Sequence, residues 1–575
     1  MFLDEITLAL GDWQYNAGLV GFVNILEFSG KTAIRKDKYE ITFPASYLED
    51  FSFNYFDYFI DYYMGQISYG RIIDFEVEAE NFLQIKADEL RKEQLDAFNK
   101  YIKDVLQYYM KSNSYKAAFE CLEGTDEVLN LFSEVKTISK KKTEEICEKI
   151  EEVHETAHKI LQIIQKMKDP KWRRYIGGKN VIYMLLKRNW DGVSVLNRTP
   201  RYKDIFKEFH EYFVAPVIED LEREKTKDKY ECFACHGKIK DLNTNLSFLT
   251  HTGFDTARKP SHVWDFQNDI AICPLCKLVY ACVPAGFAYG FDKGIFVNSN
   301  VTMTALLSIN RMIKGGLNKQ MSSNYKSVYR AVIEAILRMK RNNLKYSLAD
   351  VQLVFYENAR YRFNILHKNI LKIIVDAKEE FSFIEKGYIV ENGINTSIYE
   401  ETLRRLLENQ NMYSWIYKLL HLWVSKSDGV RFNLSQVEKI LKINVFYLKG
   451  VGLLASIEDK KVENSEEKKE KHIVDILRGY GARVRILYKK NDSEKKLDGI
   501  SHQMLNALKN SKVDDFMNLL LRCYMYIGEG VPKSFIDCLK DPQLLRTYGY
   551  AFVLGLNKVD KEEIEAQQTK EGKTE

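Results

Sequence analysis

Two Cys-x-x-Cys pairs, Cys232-Phe-Ala-Cys235 and Cys273-Pro-Leu-Cys276, stand 37 residues apart and constrain the chain more than any other feature. At each knuckle the two-residue gap lets both sulfurs turn toward one ion, so four thiolates at this spacing predict a tetrahedral zinc site. Four sulfurs leave no open coordination position. A catalytic zinc needs a water-bearing site, so the set reads as a structural staple holding its insert in shape. A redox pair would need one motif opening a helix, and neither sequence context supplies that cue. His236, His251, His262 and Cys282 are close enough in sequence to substitute as ligands, which leaves the ligand set open.

The other cysteines are scattered, and the total of nine is odd, which favours a reducing compartment over a disulfide framework. Asp4 and Glu5 stand where a secretory leader would carry positive charge. The uncharged stretch between Lys277 and Asp292 is 14 residues long with a proline and two glycines, short of the ~20 a bilayer span requires. A cytoplasmic protein with no membrane partner is expected. With 575 residues and 45% hydrophobic composition, it has length for several domains.

The net charge of +5 hides an asymmetry. From Lys171 to Lys203 nine Lys/Arg face Asp191 alone, and from Arg311 to Lys345 nine face Glu334 alone; these windows carry +16, leaving −11 elsewhere. Concentrated positive charge in an otherwise acidic chain suits a polyanion, against the plainer reading of a solvated basic face. In the first window Lys171, Arg173, Arg174, Lys179, Asn180, Lys187, Arg188, Arg198, Arg201 and Lys203 are the candidate nucleic-acid contacts. Gly177 and Gly178 are read as a loop whose backbone approaches a duplex, against the alternative of a simple tight turn. In the second window the candidates are Lys326, Arg330, Arg338, Lys340 and Arg341, with Val328, Val332, Ala335, Ile336 and Met339 as the buried side of one helix.

The expected fold class is α+β. A large mixed α/β N-terminal region carries an inserted zinc-binding module and is followed by a C-terminal all-α bundle. The divisions read as 1–227 with the basic loop, 228–285 for the cysteine module, 286–399 for the continuation with its basic helix, 400–557 for the bundle, and 558–575 as a disordered tail. Residues 11–28 are too apolar for a surface helix, while 39–44 and 71–78 read as short strands. The aromatic run from Phe51 reads as core rather than as a base-stacking platform. A long amphipathic helix is expected from Thr137 to Lys168, its heptad seam formed by Ile146, Ile150, Val153, Ala157, Ile160, Ile164 and Met167. Segments 291–299 and 351–366 read as strands.

On that amphipathic helix, His154-Glu155-Thr156-Ala157-His158 matches the H-E-x-x-H of zinc peptidases. No glutamate follows before Glu208, so the nearby third ligand of one such class is missing, as is the extended motif of another. There is no phosphate-binding G-x-x-x-x-G-K-[ST] loop and no His-Asp dipeptide.

The opening "WQYNAGLVGF", both cysteine pairs, "WDGVSVLNR" at 190–198 and "LNALKNSKVDDFMNLLLRCYMYIG" at 505–528 resemble, in order and spacing, the large subunit of type I-B CRISPR effector complexes in the subfamily marked by two CXXC motifs. The resemblance extends over most of the chain. It implies a non-catalytic subunit of Cascade, the RNA-guided surveillance complex, that recognises the motif flanking a DNA target and assists unwinding. Its implied partners are double-stranded target DNA with its displaced strand, guide RNA, other Cascade subunits and a recruited helicase-nuclease. It also implies that the C-terminal bundle resembles, or is separately produced as, the small subunit; Met412, at the start of the last helical region, is read from its position alone as an internal start. The alternatives are a zinc metalloprotease using the HETAH motif and a zinc-stapled scaffold for RNA or protein.

Overall fold

A computed structural model of the chain describes residues 5–139, 147–253, 271–290, 293–320, 331–332, 334–335, 351–357, 360–454 and 472–557. It is mixed helix and sheet, with a helical C-terminal region. Two units form, Met1–Met312 with Val354–Arg362 and Ile313–Leu353 with Phe363–Glu575, so the 286–399 stretch contributes to both.

In the first unit, strand β1 (Glu5–Ala9) pairs antiparallel with β3 (Glu40–Pro44), and β2 (Arg35–Lys36) extends the sheet. Ile6 and Leu8 alternate with exposed residues along β1, the period a half-buried strand requires. Asp12 caps the opening helix Trp13–Phe28 by accepting from the backbone N–H groups of Gln14 and Tyr15. That helix is buried nearly all round, as its composition predicts. Phe51–Tyr62 forms the aromatic helix, where Tyr55 packs against Phe209 with ring centroids 4.6 Å apart. Phe51, Tyr55, Phe56 and Phe59 are fully buried, so these rings build core and no base reaches them.

Two local expectations change. Residues 71–78 are not a strand; they divide between the helices Ser68–Ile73 and Glu76–Gln84, with Ile72 and Ala79 buried. Glu76 and Glu78 lie in the first turn of the second, where carboxylates complement the helix dipole. The amphipathic helix spans Ile150–Met167, and 137–139 are not helical. Asn99 explains the difference at Ile138: its amide donates to the Ile138 carbonyl at 3.0 Å and accepts from the Ile138 N–H at 2.7 Å, holding that backbone away from a helical ladder. Ile146 lies outside the described residues. Val153, Ala157, Ile160, Ile164 and Met167 are fully buried, and the helix packs on Glu76–Gln84 and Thr125–Glu134, so the seam serves this chain's own core.

Strands β4 (Tyr230–Glu231) and β5 (Lys238–Ile239) form the first cysteine hairpin. β6 (Ala288–Gly290) and β7 (Lys293–Asn298) join β8 (Val351–Glu357) and β9 (Arg360–Leu366) in a four-stranded sheet, as the strand-like composition of those segments predicts.

The second unit is dominated by helices, among them Ile398–Leu407, Tyr413–Val424, Leu434–Gly450, Ile473–Lys490, Lys495–Lys509, Val513–Ile527 and Pro542–Asn557. A hairpin of Tyr388–Glu391 and Ile394–Ser397 turns at Asn392-Gly393, both with positive φ, the geometry that an Asn-Gly hairpin turn supplies. Met412 is fully buried at the start of its helix, its N–H donating to Asn444 Oδ1 at 2.7 Å. The expected tail, 558–575, lies outside the described residues.

Candidate metal centre

The β4–β5 hairpin shapes the first knuckle. Cys232 N–H donates to the Gly237 carbonyl at 2.8 Å, and the His236 N–H donates back to the Cys232 carbonyl at 2.8 Å. His236 takes φ of +58°, closing the turn so that Cys232 and Cys235 face the same way. The second knuckle opens the helix Pro274–Ala281, with Cys273 at its cap and Pro274 in its first turn. The Cys273 sulfur accepts from the Cys276 N–H at 3.3 Å, and the Cys232 sulfur accepts from the Cys273 N–H at 3.2 Å. A crossing bond from the Phe233 N–H to the Ala271 carbonyl at 2.8 Å joins the two knuckles.

All four sulfurs lie within 4.8 Å of one another, and Cys235 Sγ stands 3.7 Å from Cys273 Sγ. Cys232, Cys273 and Cys276 are buried, while Cys235 is exposed. Such a donor set can hold a metal ion, because four sulfurs converge on one point. The electrostatics agree. Hydrogen bonds from the Cys235, Cys273 and Cys276 thiols hold the Cys232 thiol well below its ordinary range. Cys273 and Cys276 are pushed up, first by their hydrogen bonds to Cys232 and also by burial. Cys235, like Cys232, is lowered: its hydrogen bond with Cys232 raises it, but those with Cys273 and Cys276 outweigh that. Two thiolates form readily and Cys273 and Cys276 resist, so full deprotonation calls for a cation at the centre.

The second knuckle does open a helix, the cue the sequence did not supply. Its inner sulfur is fully buried among the other three, however, which is unlike an exposed redox pair. Of the substitute ligands, none joins the cluster among the described residues. Cys282 donates its thiol to the Leu278 carbonyl at 3.3 Å, His251 packs against Tyr356 and Tyr361, and His262 lies outside the described residues. The HETAH residues form no metal cluster among the described residues either. His154 Nε2 is 3.0 Å from the Ile85 carbonyl oxygen, and Glu155 is exposed and paired with Lys159 at 2.7 Å.

Sequence reasoning did not foresee how tightly the opening helix grips this centre. A Cβ at Gly18 would come within 2.2 Å of the Val279 carbonyl oxygen, and one at Gly21 within 2.0 Å of that of Cys282. The Tyr280 hydroxyl donates to Asp12 Oδ2 at 2.9 Å, and the Cys276 sulfur lies 3.9 Å from the Tyr15 hydroxyl. Trp190 and its neighbours close another side: the Asp191 N–H donates to the Phe248 carbonyl at 2.8 Å, and the Thr250 N–H to the Asn189 carbonyl at 2.9 Å. The small residues of "AGLVGF" carried the only sequence signal for this packing.

The first basic window folds differently from its reading. Residues Pro170–Val181 are helix, capped by Asp169, and not a loop. Gly177, Gly178, Lys179 and Asn180 are buried in it, Gly177 against Ile60 and Gly178 against Ile205. Proline at the first turn and the apolar neighbours Trp172 and Ile176 carry the helix through both glycines. Lys179 Nζ donates to the Asn197 and Arg198 carbonyls, both at 3.0 Å, and burial lowers its pKa. Asn180 Oδ1 accepts from the Tyr69 N–H at 2.9 Å. These four cannot meet DNA from where they stand.

Much of the remaining charge is answered in space. Arg174 grips Asp57 at 2.8 Å, Arg173 pairs with Asp61, and Arg198 reaches Glu120 at 2.6 Å. These acids come from distant segments, and no local pattern announces them. Lys171, Lys187, Arg188, Arg201 and Lys203 remain exposed. Lys187 sits 3.9 Å over the Tyr183 ring and Arg201 5.5 Å from that of Tyr202, two aromatics the sequence reading passed over. Lys326, Arg330, Arg338, Lys340 and Arg341 lie outside the described residues, as do Val328, Ile336 and Met339; Val332 and Ala335 are buried.

A family model described as CRISPR-associated protein (Cas_CXXC_CXXC) matches residues 225–288. The match supports a CRISPR-associated protein. It encloses both knuckles, the helix Pro274–Ala281 and the start of β6, the part of the first unit that the four sulfurs organise. No curated protein and no solved structure matches the chain. Among the described residues, no helix is long and apolar enough to cross a membrane.

Proposed function

We propose that this chain is the non-catalytic large subunit of an RNA-guided CRISPR surveillance complex of the type I-B Cascade kind. The observation that carries the reading is a converged four-thiol cluster inside the segment that matches a CRISPR-associated family. The ion is zinc in a structural role: four thiolates complete its tetrahedron and leave no place for a reactive water. The subunit recognises the motif flanking the target in duplex DNA, helps open the duplex and recruits a separate helicase-nuclease, while the guide RNA reads the rest by base pairing. This division asks the protein for a positive surface and a few polar contacts. Exposed Lys171, Lys187, Arg188, Arg201 and Lys203 are suited to phosphate.

Affinity purification of the tagged chain from cells carrying its neighbouring genes tests the class. Recovery with a short guide RNA and repeated backbone subunits is the expected result. A stable RNA-free monomer with peptidase activity would overturn it. Duplex binding by the complex should weaken steeply as salt rises, because neutralised phosphates release counterions on binding.

A further inference from the structure

The second unit contains a cleft of 610 Å³ lined from the helices Tyr413–Val424, Lys495–Lys509 and Pro542–Asn557. Its walls combine flat rings with cations. Tyr413 and Tyr550 stack with centroids 5.9 Å apart, and Tyr417, half-buried, presents a third ring. The Lys509 ammonium lies 4.8 Å from the Tyr417 centroid and the Arg546 guanidinium 5.7 Å from that of Tyr413.

The charges do not balance. Glu391 is the one carboxylate lining the cleft, and Lys418 engages it at 2.6 Å. Among the described residues no carboxylate pairs with Lys509 or Arg546. Arg546 donates from Nη2 to Ser511 Oγ, but its Nε is buried without a hydrogen-bond partner. A buried guanidinium N–H left unmet is costly, and an entering anion would satisfy it. Guanidinium and ammonium beside aromatic faces match a phosphate joined to a base, the phosphate taking charge-assisted hydrogen bonds and the base stacking on a ring. These residues come from three separated helices outside both basic windows, so sequence alone does not gather them.

We propose that this cleft binds a nucleotide, with Arg546 and Lys509 on the phosphate and Tyr417 against the base. The nucleotide is either free or one unit of a single strand, since both offer the same chemistry. A free nucleotide goes beyond the subunit reading, whereas a strand deepens it, since the resemblance already implies a displaced strand as partner; the observations in both cases are those of the cleft alone.

Binding of AMP, inorganic phosphate and a short single-stranded oligothymidylate to the whole chain at low salt tests it. AMP or the oligonucleotide should bind, and Lys509→Ala and Arg546→Gln should each weaken that binding tenfold or more. Lys509 is exposed, so its substitution keeps the test usable if the Arg546 variant misfolds. AMP binding without oligonucleotide binding assigns a free nucleotide; oligonucleotide binding that responds to Lys509→Ala assigns a strand. Inorganic phosphate binding as tightly as AMP, with no strand binding, would remove the role of the rings and overturn the proposal. So would no binding of AMP or oligonucleotide at millimolar concentration, or binding indifferent to both variants. The assay contains no duplex and no guide RNA, so its failure leaves the reading of the preceding subsection untouched.

Discussion

The cysteine knuckles of the first unit and the closing helices of the second are held by different forces. Around the cluster the regular structure is slight: β4 and β5 are two residues each, and the helix Pro274–Ala281 has eight. Four converging sulfurs can supply what so short a hairpin cannot, because an ion bound there would add free energy that two-residue strands do not. The helix Pro542–Asn557 needs no such help. Phe552, Val553, Leu554 and Leu556 are all but fully buried, and it lies so close to Ile473–Lys490 that a Cβ at Gly481 would come within 2.1 Å of the Phe552 carbonyl oxygen. Burial and close backbone contact hold it. The cysteine hairpin is therefore expected to answer to metal and the closing helix to packing.

The largest effect that would break this contrast is removal of the ion. A chelator, or Cys276→Ser, should release one bound metal per chain and remove a contribution on the order of 10 kcal/mol to folding of the knuckles. Metal content by atomic emission and limited proteolysis read it out, with new cleavage expected near residues 230–282 and protection retained over 473–557. Equal loss of protection in both regions would mean that they do not differ as argued. Acid should act in the same direction: the ligands must be thiolates, so metal is retained at neutral pH and lost as falling pH protonates them.

Next in size are the close contacts. Gly21→Ala should destabilise the first unit and Gly481→Ala the second, each by about 1–3 kcal/mol, because backbone stands where the new Cβ must go. Thermal melts with and without chelator sharpen the comparison: the Gly481 effect should be the same in both, whereas the Gly21 effect should shrink once the metal is gone. A Gly481 effect that depends on chelator would argue against a packing-held second unit.

Smaller still are the surface effects. Lys187→Ala and Arg201→Ala should weaken duplex binding across sequences and lower the salt slope by about 1 each. Stability should move by no more than about 0.5 kcal/mol, as for other exposed positions. The faintest signal concerns Met412. If translation also begins there, Met412→Leu should remove a shorter C-terminal product on an immunoblot while the full chain persists; an unchanged short band would end that idea.

The site was legible where chemistry is local. Two residues between cysteines are enough to form a knuckle, so Cys232, Cys235, Cys273 and Cys276 could be named without a fold. The apolar opening helix and the seam from Val153 to Met167 were legible for the same reason, since periodicity records which face will be buried. The basic window misled because charge along a sequence is not charge in space. Asp57, Asp61 and Glu120 reach Arg174, Arg173 and Arg198 from more than 75 residues away. Gly177-Gly178 misled because paired glycines suit a turn as well as the tight contacts of a buried helix, and only Ile60 and Ile205 distinguish the two.

By itself, then, the sequence determined the donor atoms, the α+β character and the helices whose apolar period is strong, all properties written within a few residues. Tertiary structure decided which charges are paired with distant acids, how the opening helix seats against the cysteine module, and that Tyr417, Lys509 and Arg546 share one cleft. The reason is range: hydrogen bonding and side-chain periodicity act between near neighbours, whereas ion pairing and burial are settled only when distant segments meet.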